Sequence, residues 1–231
     1  MKSNIGFTLA EVLITLVIIG IISAITIPTL ISKYTEQEAS SKISKAHQTL
    51  SQAYELAKIE YGTADNWNLI AQGSSEGAKN VADILLKYLS YQKYCGNQRG
   101  CLADQYKYLN GNNWLVPSNN SSHSSFVLND GTFVRIYILS NNCSGNFGSD
   151  SLQKGCGEIV IDINGYKGPN ILGKDFFYFY FTKDSVIPAG IAIDTRTPIT
   201  SCSKNGTGLG CTGWVEYKAN MDYLKNRTIS W

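Results

Sequence analysis

Charge is scarce in this sequence. Lys, Arg, Asp and Glu together make up only 16% of the 231 residues, and their formal sum is +2. A balance this close to neutral gives no electrostatic reason to expect nucleic acid or an acidic substrate as a partner. Neutral polar residues, chiefly Asn, Ser, Gly and Tyr, are abundant instead. Such a surface is common among exported proteins.

Recognisable catalytic arrangements are also lacking. The two histidines, His47 and His123, have no evident Ser or Cys partner at a strand-to-helix turn. The glycine-rich stretch at residues 206–210 lacks the preceding strand, the spacing and the following Lys-Ser/Thr of a phosphate-binding loop. The Ser-x-x-Lys matches at Ser151 and Ser201 have no companion motif. We therefore predict that the chain is not an enzyme.

One long segment lacks charge altogether. Residues 12–31 are twenty residues without a charged side chain, and a helix of that length spans the ~30 Å hydrocarbon core of a bilayer. The whole apolar run, residues 7–31, is too long for a secretory signal peptide, and no convincing A-x-A cleavage site follows it. A plain membrane anchor leaves Glu11 unexplained, because a carboxylate inside a membrane helix costs roughly 2.5–3.5 kcal/mol.

The sequence GFTLAE at residues 6–11, between a short basic leader and the apolar run, accounts for both features. It resembles the N-terminus of a type IV pilin or a type II secretion pseudopilin. The resemblance implies that a prepilin peptidase cleaves between Gly6 and Phe7 and methylates Phe7. It also implies that Glu11, together with Phe7, directs assembly, and that Pro28 kinks the helix.

The resemblance further implies a domain organisation. Residues 1–6 are the cleaved leader, residues 7–31 the transmembrane and assembly half of a long helix, residues 32–62 its amphipathic half, and residues 63–231 a globular head. The expected fold class is α+β, with the long N-terminal helix packed on an antiparallel β-sheet head with disulfide-braced loops.

The segment after the membrane span has helical periodicity. Gly62 follows its last periodic residue and fits a helix C-cap. Since no Gly or Pro interrupts residues 30–61, one helix is predicted from Phe7 to Tyr61. Its apolar residues recur at steps of three and four and so share one face: Ile43, Ala46, Leu50, Ala53, Ala57 and Tyr61.

The rest of the chain predicts one more long helix and several strands. The helix covers residues 76–92, and residues 95–124, rich in Gly, Asn and Ser, read as a long surface loop. A closing helix is predicted near residues 214–224. Asn129-Asp130-Gly131 is a hairpin signal. The predicted strands are 125–128, 132–139, 158–163, 176–182 and an edge strand, 186–193, interrupted by Pro188.

The most aromatic of these strands is FFYFYF at residues 176–181. Side chains alternate between the two faces of a strand. We expect the face that carries Phe177, Phe179 and Phe181 to pack under the long helix, and the hydroxyls of Tyr178 and Tyr180 to reach water. An aromatic platform for a ligand is the alternative for the tyrosine face.

The six cysteines are even in number and none lies in a CxxC pair. With an export-type N-terminus, this predicts three disulfides rather than a metal site. Six cysteines allow 15 pairings. Neighbourhood in the sequence suggests Cys95–Cys101, Cys143–Cys156 and Cys202–Cys211.

The chain has one oxygen-rich cluster, around Asp162, Asn164 and Asp175. Carboxylates and amide oxygens are ligands that Ca²⁺ accepts, so these three residues are candidate metal ligands, and Ca²⁺ is the one cofactor considered. The alternative is a turn-rich connection reversed by Asn164-Gly165 and Pro169. The turn chemistry favours the second interpretation.

Together these features predict a structural subunit of a bacterial type IV pilus or type II secretion pseudopilus. Its partners would be prepilin peptidase, other pilin subunits and an inner-membrane assembly platform, with no nucleic acid. The expected location is the inner membrane, crossed once with the N-terminus in the cytoplasm, and afterwards the pilus or pseudopilus. The alternative is a membrane-anchored binding protein that uses the pilin route and recognises a surface, a sugar or DNA through the tyrosine face or the 95–124 loop.

Overall fold

A single long helix leads into the head. The computed structural model describes residues 8–231, and in it helix α1 runs without interruption over Leu9–Tyr61, 53 residues. Gly62 ends the helix as its C-cap: its φ is +74° and its N–H donates to the Lys58 carbonyl. Pro28 lies inside α1, where its ring nitrogen has no proton for the preceding turn. The predicted bend at this proline stays a prediction.

The two halves of α1 have different surroundings. Before Glu36 the described residues are exposed, apart from the half-buried Ser23. In the part of the chain that the structure describes, α1 is the one helix long and apolar enough to cross a membrane, by length and composition. From Glu36 onward one face is buried against the head. Its apolar members are Ala39, Ile43, Ala46, Leu50, Ala53, Tyr54 and Ala57.

The head is built on an antiparallel sheet of six strands, with a separate two-stranded ribbon. The order across the large sheet is β1-β4-β5-β6-β7-β8, and β2 pairs with β3. The α+β class predicted from the sequence is confirmed. In chain order the strands are β1 Tyr91–Gly96, β2 Tyr106–Lys107, β3 Asn113–Leu115, β4 Ser124–Leu128, β5 Phe133–Ile138, β6 Gly155–Asp162, β7 Phe176–Thr182 and β8 Val186–Pro188.

The predicted hairpin between β4 and β5 is present. Leu128 donates its N–H to the Thr132 carbonyl over 2.9 Å, and Gly131 has φ +86°, a backbone conformation that glycine adopts without strain. β8 is the edge strand beside β7 and ends at Pro188, which fits the rule that proline is tolerated at a sheet edge.

The region between residues 75 and 124 differs from the prediction. Helix α2 covers only Ser75–Leu85 and does not continue to residue 92. Residues 91–96 instead form β1, because they pair with β4 along the sheet edge, with Tyr94 opposite Phe126. The predicted long loop also contains the β2–β3 ribbon. Long-range strand pairing of this kind leaves little local sequence signal.

The large sheet is buried on both faces. On one face Phe177, Phe179 and Phe181 join the core that α1 and α2 cover, as expected. On the other face Tyr178 and Tyr180 lie in a second core, and their hydroxyls do not reach water. That prediction was wrong because the β2–β3 ribbon and the later loops cover this face. The tyrosines therefore form no exposed platform for a ligand.

The C-terminal helix is split into two pieces. Helix α3 covers Cys211–Lys218, and Ala219 follows in the left-handed conformation with φ +52°. A short 3₁₀ turn, Asp222–Lys225, comes next. The three-and-four spacing predicted a single closing helix. The chain instead changes direction at Ala219, and the 3₁₀ turn then lies against α1, where Lys225 pairs with Glu36.

Candidate functional site

The N-terminal end of α1 is capped by its own acid. Thr8 is the N-cap residue; its backbone N–H and its hydroxyl each donate to Glu11 Oε2 over 2.8 Å, and Glu11 N–H donates back to Thr8 Oγ1 over 3.3 Å. This is a capping box, which satisfies backbone N–H groups that a helix start leaves unpaired. The cleavage-site residues Gly6 and Phe7 lie outside the described residues.

Beyond that cap the helix presents apolar side chains in every direction. Leu13, Leu16, Ile19 and Ile22 are each more than half exposed in the single chain. A helix that is apolar all round is stable only against lipid or against other apolar helices. This part of α1 can therefore pack in a membrane, in a helical bundle, or in each in turn.

Where α1 meets the head, a buried acid joins it to the C-terminal segment. Glu36 accepts from Lys225 Nζ at 2.7 Å and from the Met221 N–H at 3.2 Å. Burial by itself raises the pKa of Glu36, but the Lys225 ammonium and these hydrogen bonds outweigh it and lower that pKa. One turn further on, the Ser40 hydroxyl donates to the Val215 carbonyl over 3.0 Å.

A second polar contact holds the middle of α1. His47 lies between two acceptors, Glu216 Oε1 on α3 at 2.7 Å and the Val186 carbonyl on β8 at 3.0 Å. Its ring packs against Phe179, with centroids 5.3 Å apart. His47 therefore joins the anchor helix to α3, to the sheet edge and to the phenylalanine face at once.

The far end of α1 is held by the β7–β8 turn. The Tyr54 hydroxyl donates to the Thr182 carbonyl, and Lys58 Nζ donates to the Asp184 carbonyl over 2.6 Å. Lys183 forms an ion pair of 2.7 Å with Asp65, just beyond the helix. With Glu36 and His47, these contacts attach α1 to the head along its whole second half.

Glu36 and His47 were not singled out by the sequence analysis, although a signal for them exists. Ser40 lies four residues after Glu36, and His47 lies seven residues after Ser40. At this helical spacing the three residues lie in the same stripe as Ile43 and Leu50. A polar residue inside an apolar stripe is buried and needs a partner. The partners come from the last part of the chain, at positions that no local pattern indicates.

All six cysteines are paired in the structure, as Cys95–Cys101, Cys143–Cys156 and Cys202–Cys211. The first bond ties β1 to the turn that follows it. The second ties the loop after β5 to the start of β6, and the third ties the 202–211 loop to the start of α3. Each brace therefore lies where a surface loop meets a regular element.

The candidate calcium ligands lie together but are already engaged. Asp162 accepts from the Tyr106 hydroxyl at 2.8 Å and from the Gly165 N–H at 2.9 Å. Asp175 accepts from the Ile171 N–H at 2.7 Å and from the Asn164 side-chain amide at 3.1 Å. These bonds brace the turn between β6 and β7.

Burial raises the pKa of Asp162 to about 7 and also raises that of Asp175. Within residues 8–231 there is no group of three or more His, Cys, Asp or Glu side chains that could hold a metal. The calcium site at Asp162, Asn164 and Asp175 stays a prediction.

Another buried polar cluster lies under the β2–β3 ribbon. Arg135 Nη1 bonds to Glu158 Oε1 at 2.8 Å, with both side chains at most 10% exposed, and the Tyr178 hydroxyl donates to the same carboxylate. The guanidinium lies over the Trp114 ring at 5.5 Å. Paired and covered in this way, these groups hold the second core together.

Comparisons with known proteins agree with this architecture. The model of the prokaryotic N-terminal methylation motif matches residues 1–27. With the long apolar helix and the antiparallel head, this makes the chain a type IV pilin-like protein. More specifically, the chain belongs to a family of unknown function, DUF6613, whose model matches residues 29–189. No curated protein and no solved structure matches the chain.

Proposed function

We propose that the chain is a structural subunit of a type IV pilus or a type II secretion pseudopilus, and that it acts by assembly and not by turnover. The observation that carries the proposal is the bare first half of α1, exposed and apolar on all sides. Most of it lies within residues 1–27, which match the prokaryotic N-terminal methylation motif. Such a surface needs lipid before assembly and other helices after it.

In the membrane-stored state, residues 12–31 cross the inner membrane once, with the N-terminus in the cytoplasm and the head outside it. Prepilin peptidase removes residues 1–6 between Gly6 and Phe7 and methylates Phe7. An inner-membrane assembly platform then passes the subunit to a growing filament. The domain limits follow the same division: leader 1–6, assembly half 7–31, amphipathic half 32–62 and head 63–231.

Assembly is directed by Glu11. Cleavage creates an amine on Phe7, and the methyl group leaves it charged, so each subunit carries an acid and a cation about 6 Å apart along the axis, at ~1.5 Å per residue. In a helical bundle, an unpaired charge costs on the order of 3–5 kcal/mol. A neighbour shifted along the axis supplies the missing partner, and Glu11 exchanges the Thr8 capping bonds for the neighbour's amine.

The head contributes a fixed connection to the helix. Four residues spaced along α1 attach it to the C-terminal segment, the sheet edge and the β7–β8 turn: Glu36, His47, Tyr54 and Lys58. A pull on the helix during assembly is therefore shared among several elements of the head. The three disulfides brace the loops around them.

The test is expression of the full chain in its native host, followed by intact-mass measurement of the membrane and sheared-filament fractions. The mature form should begin at methylated Phe7 and occur in filaments. Gly6→Leu should keep residues 1–6 and stay in the membrane. Lys204→Gln is the control, since Lys204 is an exposed residue of the head, far in sequence from the cleavage site and from the assembly half of α1. A mature N-terminus near Ala24 would instead establish a signal peptide and overturn the proposal.

A further inference from the structure

Ile70 occupies the tip of a turn in an unfavourable backbone conformation. Its φ is +66°, a region that β-branched residues rarely enter because the side chain crowds the backbone. The Ala71 N–H donates back to the Leu69 carbonyl over 2.9 Å, so Ile70 is the central residue of a three-residue turn. Its side chain is 41% exposed. The fold therefore leaves an aliphatic side chain exposed at a conformational cost.

Contacts on both sides of Ile70 keep this turn in place. Leu69 is buried in the core, and its carbonyl lies so close to Gly77 that a Cβ there would meet it at 1.9 Å. The side-chain amide of Asn141 donates to the Ile70 carbonyl over 3.2 Å. A strained backbone of this kind persists only where the surrounding structure enforces it, and such strain clusters at functional sites. The exposed Ile70 is thus held in position and is not a loose loop tip.

An apolar groove, the base groove, opens at the other end of the head, where α1 leaves it. Its volume is about 510 Å³, and its walls are α1 between Ser32 and Lys42, the β6–β7 connection and the C-terminal 3₁₀ turn. Ala39, Met221 and Leu224 are among its apolar lining residues. A volume in the range of ligand pockets has room for the tip of a turn.

The Ile70 turn and the base groove lie at different levels of α1. Trp67, three residues before Ile70, packs on Tyr54 with ring centroids 4.8 Å apart, whereas the groove is lined by α1 residues 32–42. Tyr54 and the middle of that range are separated by about 17 helical residues, or roughly 25 Å. The turn is therefore too far from the groove of its own chain to fill it.

The turn and the groove also match in charge. Residues 66–75 carry no charged side chain. The groove is lined by three acids and three lysines, whose formal charges cancel. Two ion pairs are already formed among them: Lys42 with Glu38 at 3.0 Å and Lys225 with Glu36 at 2.7 Å. An uncharged tip enters such a groove without breaking an ion pair, whereas a charged tip would bury a charge without a partner, which is costly.

We propose that, in the assembled filament, the Ile70 turn of one copy inserts into the base groove of a second copy further along the axis. The inference rests on the filament subunit of the proposed function. Two different surfaces of one chain meet in this contact, and a contact of that kind repeats into a ring or an open helical fibre. The groove adjoins the exposed apolar span that ends at residue 31, so helix packing and this contact form one continuous interface.

The contact accounts for the exposed isoleucine. In the base groove the Ile70 side chain leaves water and packs against apolar side chains, which stabilises the pair of copies. Ile70→Asn separates the fold of the subunit from the contact. Asn enters the left-handed region more readily than Ile, so the single subunit should be at least as stable as the unchanged chain. The contact between copies should nevertheless weaken about tenfold, because the apolar side chain is gone.

The experiment is photo-cross-linking of the full chain in its native host, with p-benzoylphenylalanine in place of Thr35, an exposed residue of the groove wall. Peptide mapping of illuminated, sheared filaments should show cross-links from position 35 to residues 68–72 of another copy. Ile70→Asn should give about tenfold fewer, with no fall in melting temperature in detergent. Val116→Asn, at another exposed aliphatic residue, is the matched control and should change neither. A probe at Gln48, exposed on α1 outside the groove, should not reach that segment.

Cross-links from position 35 only to other segments, or to a different protein, would overturn the proposal. So would undiminished cross-linking of Ile70→Asn, or a loss that accompanies a lower melting temperature, since Ile70 would then serve only the fold of the head. The filament fraction keeps the two proposals apart. A chain that enters filaments without this cross-link removes only the Ile70 contact, whereas a chain absent from filaments removes the filament subunit and the contact with it.

Discussion

His47 Nδ1 lies 2.7 Å from Glu216 Oε1, and His47 Nε2 lies 3.0 Å from the Val186 carbonyl. Both ring nitrogens thus face acceptors, and only the imidazolium can donate from both at once. Burial by itself lowers the pKa of His47, but the Glu216 carboxylate and the Val186 carbonyl favour the charged ring and raise it overall. One of the contacts that attach α1 to the head, the pair of hydrogen bonds made by His47, therefore depends on a proton.

The first prediction concerns pH. Because the folded-state pKa of His47 lies above its ordinary value of 6.5, its contribution to stability is complete below pH 6.5. That contribution is lost as the pH rises through the folded-state pKa. The free energy of unfolding of the full chain in detergent should therefore fall as the pH rises above 6.5. Denaturant titrations at a series of pH values measure it.

Two other titratable groups, His123 and Asp162, determine which control variants the pH measurement needs. Burial, aided by the Arg135 charge, lowers the pKa of His123 to about 4, so His123 is neutral above pH 6.5. Burial raises the pKa of Asp162 to about 7. Asp162, like His47, therefore contributes stability that is lost as the pH rises. The pH dependence of the free energy of unfolding is therefore compared between the Asp162→Asn variant and the double variant that also carries His47→Gln. If the pH slope is unchanged by His47→Gln in that background, the imidazolium assignment is wrong.

The second prediction tests the covered tyrosine face. The Tyr180 hydroxyl bonds to Thr197 Oγ1 over 2.7 Å and is fully buried. Tyr180→Phe should lower the free energy of unfolding by about 1–2 kcal/mol, since Thr197 and its neighbour Asp194 lose a partner in the core. Tyr217→Phe, at an exposed tyrosine, should change it by less than about 0.5 kcal/mol. Equal and negligible effects would mean that the Tyr180 hydroxyl reaches water after all.

The third prediction concerns the disulfides. Non-reducing peptide mapping should recover Cys95–Cys101, Cys143–Cys156 and Cys202–Cys211 from exported protein. The loops span 6, 13 and 9 residues, and the stabilisation by a disulfide grows with loop length in the chain-entropy model. Replacing Cys143 and Cys156 by Ser together should therefore lower stability most, by about 3 kcal/mol. Long-range pairs in the map would contradict the pairing.

Some features of this structure are predictable from local sequence patterns and others are not. The span, the capped helix end at Gly62 and the Phe177 face follow from local patterns, namely charge-free length, periods of three and four, and alternation. The covering of Tyr178 and Tyr180 does not, because it depends on a ribbon of two- and three-residue strands. The partners that Glu36 and His47 find in the head are residues about 140 to 190 positions later in the chain. Propensity and periodicity do not register contacts at that separation.

The fourth prediction concerns Glu11, for which two roles are possible on physical grounds. In the single chain its carboxylate caps α1 by accepting from the Thr8 backbone and hydroxyl. In a filament it would pair with the methylated amine of a neighbouring Phe7. A neutral amide oxygen can fill the first role, whereas the second requires a negative charge. Substitutions at positions 8 and 11 can therefore separate capping from pairing.

Glu11→Gln keeps an acceptor for the Thr8 donors but removes the charge, Glu11→Ala removes both, and Thr8→Ala removes the capping hydroxyl while keeping the charge. All three should be cleaved after Gly6 and inserted in the membrane of the native host. Filament incorporation should collapse for both Glu11 variants, because a buried amine left without its partner costs on the order of 3–5 kcal/mol per contact. Thr8→Ala should assemble nearly as well as the unchanged chain, since one capping bond is worth only ~1 kcal/mol. The measurement is the ratio of each variant in sheared filaments to that in membranes, scored separately from cleavage. Normal incorporation of Glu11→Gln would show that Glu11 serves as a cap and that subunit docking depends on apolar packing alone.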